Sequence, residues 1–266
     1  MNGIIDFHTH AFPDKLAAKA MESLQHGCDV KAKLDGKVSS LLASMDECGI
    51  EKSVICSIAT KPSQFEPILN WSAQIRTERI IPLPSVHPDD EQCLERISLI
   101  KKSGFKGVKM HPFYQDFFLD EPKMLPIYER ISSEGLILMM HTGFDIAFER
   151  IRRCDPAKIF YVTQKFPELK LITTHLGSWE DWQEVQRLLI GRPIYMEISM
   201  TLEYLDSEVA KNMLLAHPPE YLLFGSDSPW TSQQNTLSLL RQLELGPEKE
   251  NLICRQNALK LLSEGN

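Results

Sequence analysis

Short apolar runs alternate with helix-length segments along almost all of this 266-residue sequence, and this alternation restricts the possible folds more than any other feature. Continuous apolar runs are typical of strands that are buried on both faces of a parallel sheet. Strands separated by helices predict a sheet whose outer face the helices cover. Eight such units most simply close into a (β/α)8 barrel, and residues 1–266 have the length of one such domain. The predicted strands are residues 3–10, 52–59, 79–86, 105–111, 136–141, 169–175, 194–199 and 221–226.

Helices are predicted between these strands and at the carboxyl end of the chain. An open, doubly wound sheet is the alternative architecture, but neither a Gly-x-Gly-x-x-Gly motif nor a phosphate loop follows the first strand. The segment Ala11–Gly36 is too long for a routine connection, so we expect it to cover the functional site, with a helix near residues 15–24. The other predicted helices are residues 38–48, 66–76, 91–102, 123–133, 156–166, 179–190, 206–216, 234–243 and 252–262.

The amino-acid composition limits which binding partners and which cellular compartment are expected. The net charge is −7 and the basic residues are scattered, which argues against nucleic acid or an anionic membrane as a partner. The sequence contains no apolar run long enough for a transmembrane helix and no basic-then-apolar amino terminus. The six cysteines form no Cys-x-x-Cys pair, so a thiolate zinc site is not predicted. We expect a soluble, cytoplasmic protein that binds a small-molecule substrate.

Two histidines end the first predicted strand. His8 and His10 are two residues apart, so on a strand they point the same way while Thr9 faces away. Neutral imidazole is a common ligand for zinc and other first-row divalent ions. One histidine in the core and one in solvent is the alternative, because two ligands are only half of a metal site.

Other strand ends supply the missing ligand types. Of eight histidines, five fall at predicted strand ends, and the carboxyl ends of barrel strands are where such enzymes carry their chemistry. This clustering favours a metal site. The additional residues of ligand type at strand ends are Lys109, His111, His141, His175 and Asp227.

Six motifs in order resemble the amidohydrolase superfamily of metal-dependent barrel enzymes. The similarity is greatest to the amidohydrolase-related branch that includes aminocarboxymuconate-semialdehyde decarboxylase, and it covers nearly the whole chain. The motifs are Ile5–His10, Gly107–Pro112, Met140–Gly143, Phe166–Gly177, Leu223–Trp230 and Asn257–Leu262.

The resemblance implies a role for each matching residue. It implies that His8, His10 and His141 are metal ligands, and that Asp227 is a fourth ligand that orients or deprotonates water. It also implies that His175 binds a second ion or polarises the substrate. An Asp between two serines could instead cap a helix.

The fourth strand departs from the family pattern. Two-metal members have a carboxylated lysine or a glutamate there that bridges the ions, whereas here Lys109 is followed two residues later by His111. We therefore expect one divalent ion, with two ions as the less favoured alternative. Zinc is our first expectation, and manganese, iron and nickel suit the same ligands.

Weaker candidates surround this set. Lys109 and His111 could contact substrate, and Lys109 could instead form an ion pair in the barrel mouth. Arg150 could bind a carboxylate, or belong to a solvated helix face. Trp230 could form a pocket wall or pack beneath a loop, and Asp6 is expected to support a ligand rather than to be one.

We therefore expect a metal-dependent hydrolase that acts on an amide, a lactone or a related carbonyl compound through metal-activated water. The first alternative is a non-oxidative decarboxylase of a small aromatic or unsaturated carboxylic acid, since the named relatives are decarboxylases. A second alternative, from another class, is a metal-dependent binding protein without turnover. A homodimer is implied by the resemblance alone.

Overall fold

The computed structural model describes residues 3–25 and 30–263, and its elements follow the predicted alternation. Residues 26–29, which belong to the segment predicted to cover the site, lie outside the described residues. Within the described part, the strands are β1 Ile4–Thr9, β2 Ile50–Cys56, β3 Ile80–Leu83, β4 Gly107–Met110, β5 Ile137–Met140, β6 Lys170–Thr173, β7 Tyr195–Glu197 and β8 Leu222–Leu223.

Helices follow the strands. They are α1 Asp14–Gln25, α2 Val38–Cys48, α3 Phe65–Ile75, α4 Cys93–Lys102, α5 Leu125–Ser133, α6 Pro156–Lys165, α7 Trp182–Leu188, α8 Thr201–Tyr204, α9 Ser207–Ala216, α10 Gln233–Gln242, α11 Pro247–Asn251 and α12 Asn257–Ser263. No helix of the described residues is both long and apolar enough to cross a membrane.

All strand pairs are parallel, and the strands close into a barrel. β1, β2 and β3 form one ladder and β4 to β8 form another, each in sequence order. At one junction the backbone N–H of Lys109 donates to Pro84 O at 2.8 Å. At the other junction Phe7 N donates to Phe224 O at 2.8 Å and Asp227 N donates to His8 O at 2.7 Å. The (β/α)8 prediction is confirmed.

The core has an inner and an outer part. In β5, Ile137 and Met139 belong to an inner cluster drawn mainly from strands, whereas Leu138 and Met140 belong to an outer cluster shared with the helices. Both faces of the strand are thus buried, as continuous apolar runs require. The inner cluster leaves the carboxyl ends of the strands to polar side chains.

Several boundaries differ from the prediction. Every strand is shorter than predicted and leaves the ladder before its predicted carboxyl end. Helix α7 begins at Trp182 and not at Trp179, since Trp179 N donates to Thr142 O at 2.9 Å and Trp179 O accepts from Phe144 N at 3.1 Å. These bonds tie the Trp179 backbone to the loop after β5. Helices α8 and α11, each a few residues long, were not predicted.

Candidate active site

A cavity of about 450 Å³ opens at the carboxyl ends of the strands. Its polar lining includes predicted site residues in β1 and β4 and in the segments that follow β1, β4, β5, β6 and β8, and its apolar lining includes residues of α1. The prediction that the segment after β1 covers the site is confirmed for its described part. The predicted site residues on the cavity wall are His8, His10, Lys109, His111, His141, His175, Asp227 and Trp230.

Three of these residues converge on one point. His8 Nε2 lies 3.1 Å from His10 Nε2, and Asp227 Oδ1 lies 3.4 Å from the first and 3.1 Å from the second of these nitrogens. Thr9 faces away, with its hydroxyl donating to Val54 O at 2.7 Å. The alternation predicted for this strand end is therefore confirmed.

The hydrogen bonds at the Nδ1 atoms of the two rings direct a lone pair of each Nε2 into the cluster, where Lys109 Nζ also lies 3.2 Å from His8 Nε2. His10 Nδ1 lies 2.7 Å from Cys56 O, a carbonyl that can only accept, so Nδ1 carries the proton and Nε2 presents a lone pair. His8 Nδ1 lies 2.9 Å from Glu197 Oε1, which gives the same tautomer. Among the residues that the structure describes, Asp227 Oδ1 is buried without a hydrogen-bond partner. Three electron-pair donors that face one another fit a divalent cation.

The electrostatics of the cluster agree with metal binding. Burial, followed by the charge of Lys109, holds the pKa of His8 well below its usual range, so the ring is neutral. Burial raises the pKa of Asp227, but His8 and His10 outweigh it, and the net pKa lies below the ordinary value of 3.8. Neutral imidazole and ionised carboxylate are the forms that bind metal.

Lys109 is a buried lysine beside the cluster of His8, His10 and Asp227. Its side chain is 1% exposed, and Nζ lies 3.2 Å from His8 Nε2. The residue therefore sits beside the candidate metal position, where it can also reach a substrate oxygen.

Glu197 joins several parts of the site from the end of β7. Besides contacting His8, its carboxylate accepts from His175 N at 3.0 Å, Ser199 N at 2.6 Å and Ser199 Oγ at 2.8 Å. It is fully buried. Sequence reasoning missed this residue, although a glutamate inside the apolar run Ile194–Ser199 was an available signal.

His111 and His141 form a second cluster with Asp145. Their rings stack with centroids 4.0 Å apart, and Asp145 Oδ2 lies 3.3 Å from His111 Nε2 and 3.7 Å from His141 Nε2. Burial holds the pKa of both imidazoles well below the usual range. These three residues also have the composition of a metal-ligand group. The loop position of Asp145 gave no sequence signal.

His141 and His175 approach each other at 3.4 Å, measured from His141 Nδ1 to His175 Nε2. The opposite nitrogen of His141, Nε2, lies 3.0 Å from Phe144 O, and that of His175, Nδ1, lies 3.2 Å from Ser199 O. Both carbonyls accept a hydrogen bond, so His141 Nε2 and His175 Nδ1 carry the protons and the facing nitrogens carry lone pairs. The role of His141 as a ligand of the same ion as His8 stays a prediction.

Asp6 supports the loop that carries Asp227. Its carboxylate accepts from Ser226 N at 3.0 Å, Ser226 Oγ at 2.6 Å and Gln233 Nε2 at 2.7 Å. Burial raises its pKa from 3.8 to about 7. Asp227 itself has a positive φ of 61°, an uncommon conformation for a residue with a side chain, which the surrounding bonds stabilise.

The remaining two candidates have different positions. Trp230 lines the cavity, as predicted. Arg150 does not line it: the guanidinium pairs with Glu180, stacks over the Phe144 ring at 4.0 Å, and has a side chain that is 60% exposed. The structure therefore does not bring Arg150 to the substrate-binding wall.

The sequence pattern of the amidohydrolase family matches residues 5–263. The chain belongs to the amidohydrolase family. Enzymes of this family use divalent metal ions, in agreement with the clustered His and Asp donors. No match was found among curated protein sequences.

Solved structures share the fold at low sequence identity. An uncharacterised TIM-barrel protein from Bordetella bronchiseptica is 19% identical, with 99% of each chain covered and a TM-score of 0.79. A probable 2-pyrone-4,6-dicarboxylic acid hydrolase from Acinetobacter baumannii is 17% identical, over 98% of this chain and 99% of the other, with a TM-score of 0.70. A dihydroxybenzoic acid decarboxylase from Polaromonas, with bound manganese, is 13% identical over 100% and 98%, with a TM-score of 0.72. At these identities the likeness establishes the fold alone.

Proposed function

We propose that this amidohydrolase is a metal-dependent hydrolase of a small molecule with an amide, lactone or related carbonyl group. The observation that carries the proposal is the buried Asp227 Oδ1, which has no hydrogen-bond partner in the described part of the chain and lies within 3.4 Å of the inner nitrogens of His8 and His10 on the wall of an open cavity. His8, His10 and Asp227 would hold a divalent ion there, and the ion would supply Lewis acidity toward a carbonyl group or a water molecule.

Asp227 is the proton carrier in this mechanism. Its lowered pKa keeps the carboxylate ionised at neutral pH, so it accepts a proton from the attacking water and returns it to the leaving oxygen or nitrogen. Lys109 Nζ donates to the carbonyl oxygen as negative charge develops there. His175, which also lines the cavity, orients the substrate.

The charges around the cavity favour hydrolysis over decarboxylation. A carboxylic acid substrate needs cationic partners, and besides a bound divalent ion the described lining residues offer one lysine, Lys109, and no arginine. The arginines after β5 are engaged elsewhere: Arg150 pairs with Glu180 and Arg153 with Asp116 at 2.7 Å. A neutral acyl compound therefore suits this cavity better.

Decarboxylation of an aromatic acid is the second candidate, because aromatic rings contribute to the wall. Trp71, Tyr114, Trp179 and Trp230 all line the cavity, and flat rings stack well against them. The Polaromonas neighbour with manganese is a decarboxylase by name. Binding of metal and ligand without turnover is the third candidate.

Zinc is the ion that we propose, at about one equivalent per chain, and manganese, iron or nickel would suit the same ligands. The test is to reconstitute the protein with zinc or manganese and screen lactones, amides and aromatic carboxylates. Acid release from a lactone or amide, lost in Asp227→Asn, supports hydrolysis. Carbon dioxide release from an aromatic acid, without lactone or amide turnover, supports the second candidate.

A further inference from the structure

Part of the cavity wall is apolar and comes from segments outside the barrel strands. We use the name apolar chamber for the part of the wall formed by Leu16, Ala20 and Leu24 of α1, Ile68 and Trp71 of α3, and Ile146 of the loop after β5. The strand ends, in contrast, contribute histidines, Lys109 and Asp227. The cavity thus has a reactive polar side and an apolar side supplied by separate elements.

Two chamber residues expose apolar surface. Leu16 is 56% and Ile146 is 40% exposed, and both line the cavity. A ligand that reaches them removes this surface from water, which is favourable for an alkyl or aryl group. The apolar chamber therefore favours the binding of ligands in which an apolar group extends from the reacting carbonyl.

A charged group on the ligand would lose its hydration in the apolar chamber and find no oppositely charged partner among the residues that define it. None of the described residues that define the apolar chamber is basic, and Lys109, the cation of the described lining, lies on the polar side of the cavity against His8. A carboxylate that enters the apolar chamber loses its hydration without a partner. The wall thus selects against a substrate that carries a carboxylate away from the reacting group.

We infer that the substrate is an uncharged lactone, ester or amide with an alkyl or aryl substituent and no carboxylate. This inference rests on the proposed hydrolytic function. In the reaction, water adds across the acyl carbon–oxygen or carbon–nitrogen bond, which breaks to give a carboxylic acid and an alcohol or amine. The substituent occupies the apolar chamber while the carbonyl lies beside Lys109 and Asp227.

The test uses zinc-reconstituted full-length protein and γ-lactones with alkyl chains of increasing length, compared with a γ-lactone that ends in a carboxylate. We expect kcat/KM to rise roughly threefold to fourfold per added methylene until the apolar chamber is filled, and the carboxylated lactone to be at least about tenfold poorer. Ile68→Gln should flatten the chain-length dependence. Ile75→Gln is the matched control on the same helix, because Ile75 packs against the outer core and does not line the cavity.

A wrong substrate class and a wrong reaction type give different experimental results. Turnover that favours the carboxylated lactone, or ignores chain length, overturns the inference and leaves hydrolysis intact. If no compound is hydrolysed, the proposed function fails, and the inference is then judged by binding. Trp71, Trp179 and Trp230 line the cavity, so their fluorescence reports occupancy. Affinity that increases with chain length supports the apolar chamber, and equal or absent binding along the series contradicts it.

Discussion

His8 Nδ1 lies 2.9 Å from the buried carboxylate of Glu197, and this pairing directs the opposite nitrogen of His8 at Asp227. A carboxylate behind a histidine fixes its tautomer and strengthens it as a ligand. Replacement of Glu197 by Gln should therefore lower zinc affinity by about 10- to 100-fold. Competition with a chelating dye measures this affinity.

Glu208→Gln is the control for the Glu197 prediction, because Glu208 is exposed on α9. The control should bind zinc like the wild type. Equal zinc affinity in Glu197→Gln and wild type would show that Glu197 does not support the ligand.

Asp227→Asn should lower kcat on the best lactone by about 10²- to 10⁴-fold, because Asn cannot accept the proton of water. The lowered pKa of Asp227 means that the carboxylate stays ionised as pH falls from 8 to 5, so its titration should add no falling limb to the rate in that interval. Initial rates against pH measure both effects. Asp14→Asn on the exposed surface of α1 is the control, and comparable rates in the two variants would refute the role of Asp227.

The burial of His217, far from the candidate active site, predicts that the stability of the protein depends on pH. Burial lowers its pKa from 6.5 to about 4, and its Nε2 donates to Ile194 O at 2.9 Å. The unfolded chain binds the proton more readily, so this contribution is complete above about pH 6.5 and is lost as pH falls toward 4. At pH 5 the loss is roughly 2 kcal/mol.

Urea unfolding of wild type and His217→Gln at pH 7.5 and pH 5 tests this prediction. Glutamine keeps a donor but does not titrate, so the wild type should lose about 2 kcal/mol more than the variant on acidification. Parallel losses in the two proteins would mean that His217 is not a neutral buried group.

Gly143 lies against the backbone of Trp179, and a Cβ there would come within 2.0 Å of Trp179 N at a φ of +95°. Gly143→Ala should therefore cost about 3 kcal/mol or more in the free energy of unfolding. Gly191 has a similar φ of +83° but open space around the added carbon, so Gly191→Ala should cost only about 1 kcal/mol. Equal losses, measured by urea unfolding, would show that the close approach does not matter.

The alternation of apolar runs and helices was sufficient to predict the barrel, because each run is buried on both faces and its hydrophobicity is visible locally. The same pattern located the strand ends, and hence His8, His10 and Asp227. It could not assign partners across the barrel. That His111 stacks on His141 and contacts Asp145 depends on loop conformation, which periodicity does not encode.

Residues that support the candidate ligands were harder to predict than the candidate ligands themselves. Glu197 is the last residue of the short strand β7 and contacts His8 of β1, 189 positions away in sequence. Arg150 follows β5 closely enough to suggest a carboxylate contact, yet Glu180 and the Phe144 ring hold it outside the cavity. Such competition between partners is decided by tertiary structure and cannot be read from spacing.

Metal content, measured by elemental mass spectrometry after zinc reconstitution, tests most directly whether His8, His10 and Asp227 hold a divalent ion. Wild type and the distant His217→Gln variant should retain about one equivalent, while His10→Ala should retain far less. If wild type binds no zinc, or if His10→Ala binds as much zinc as wild type, these three residues do not hold the ion.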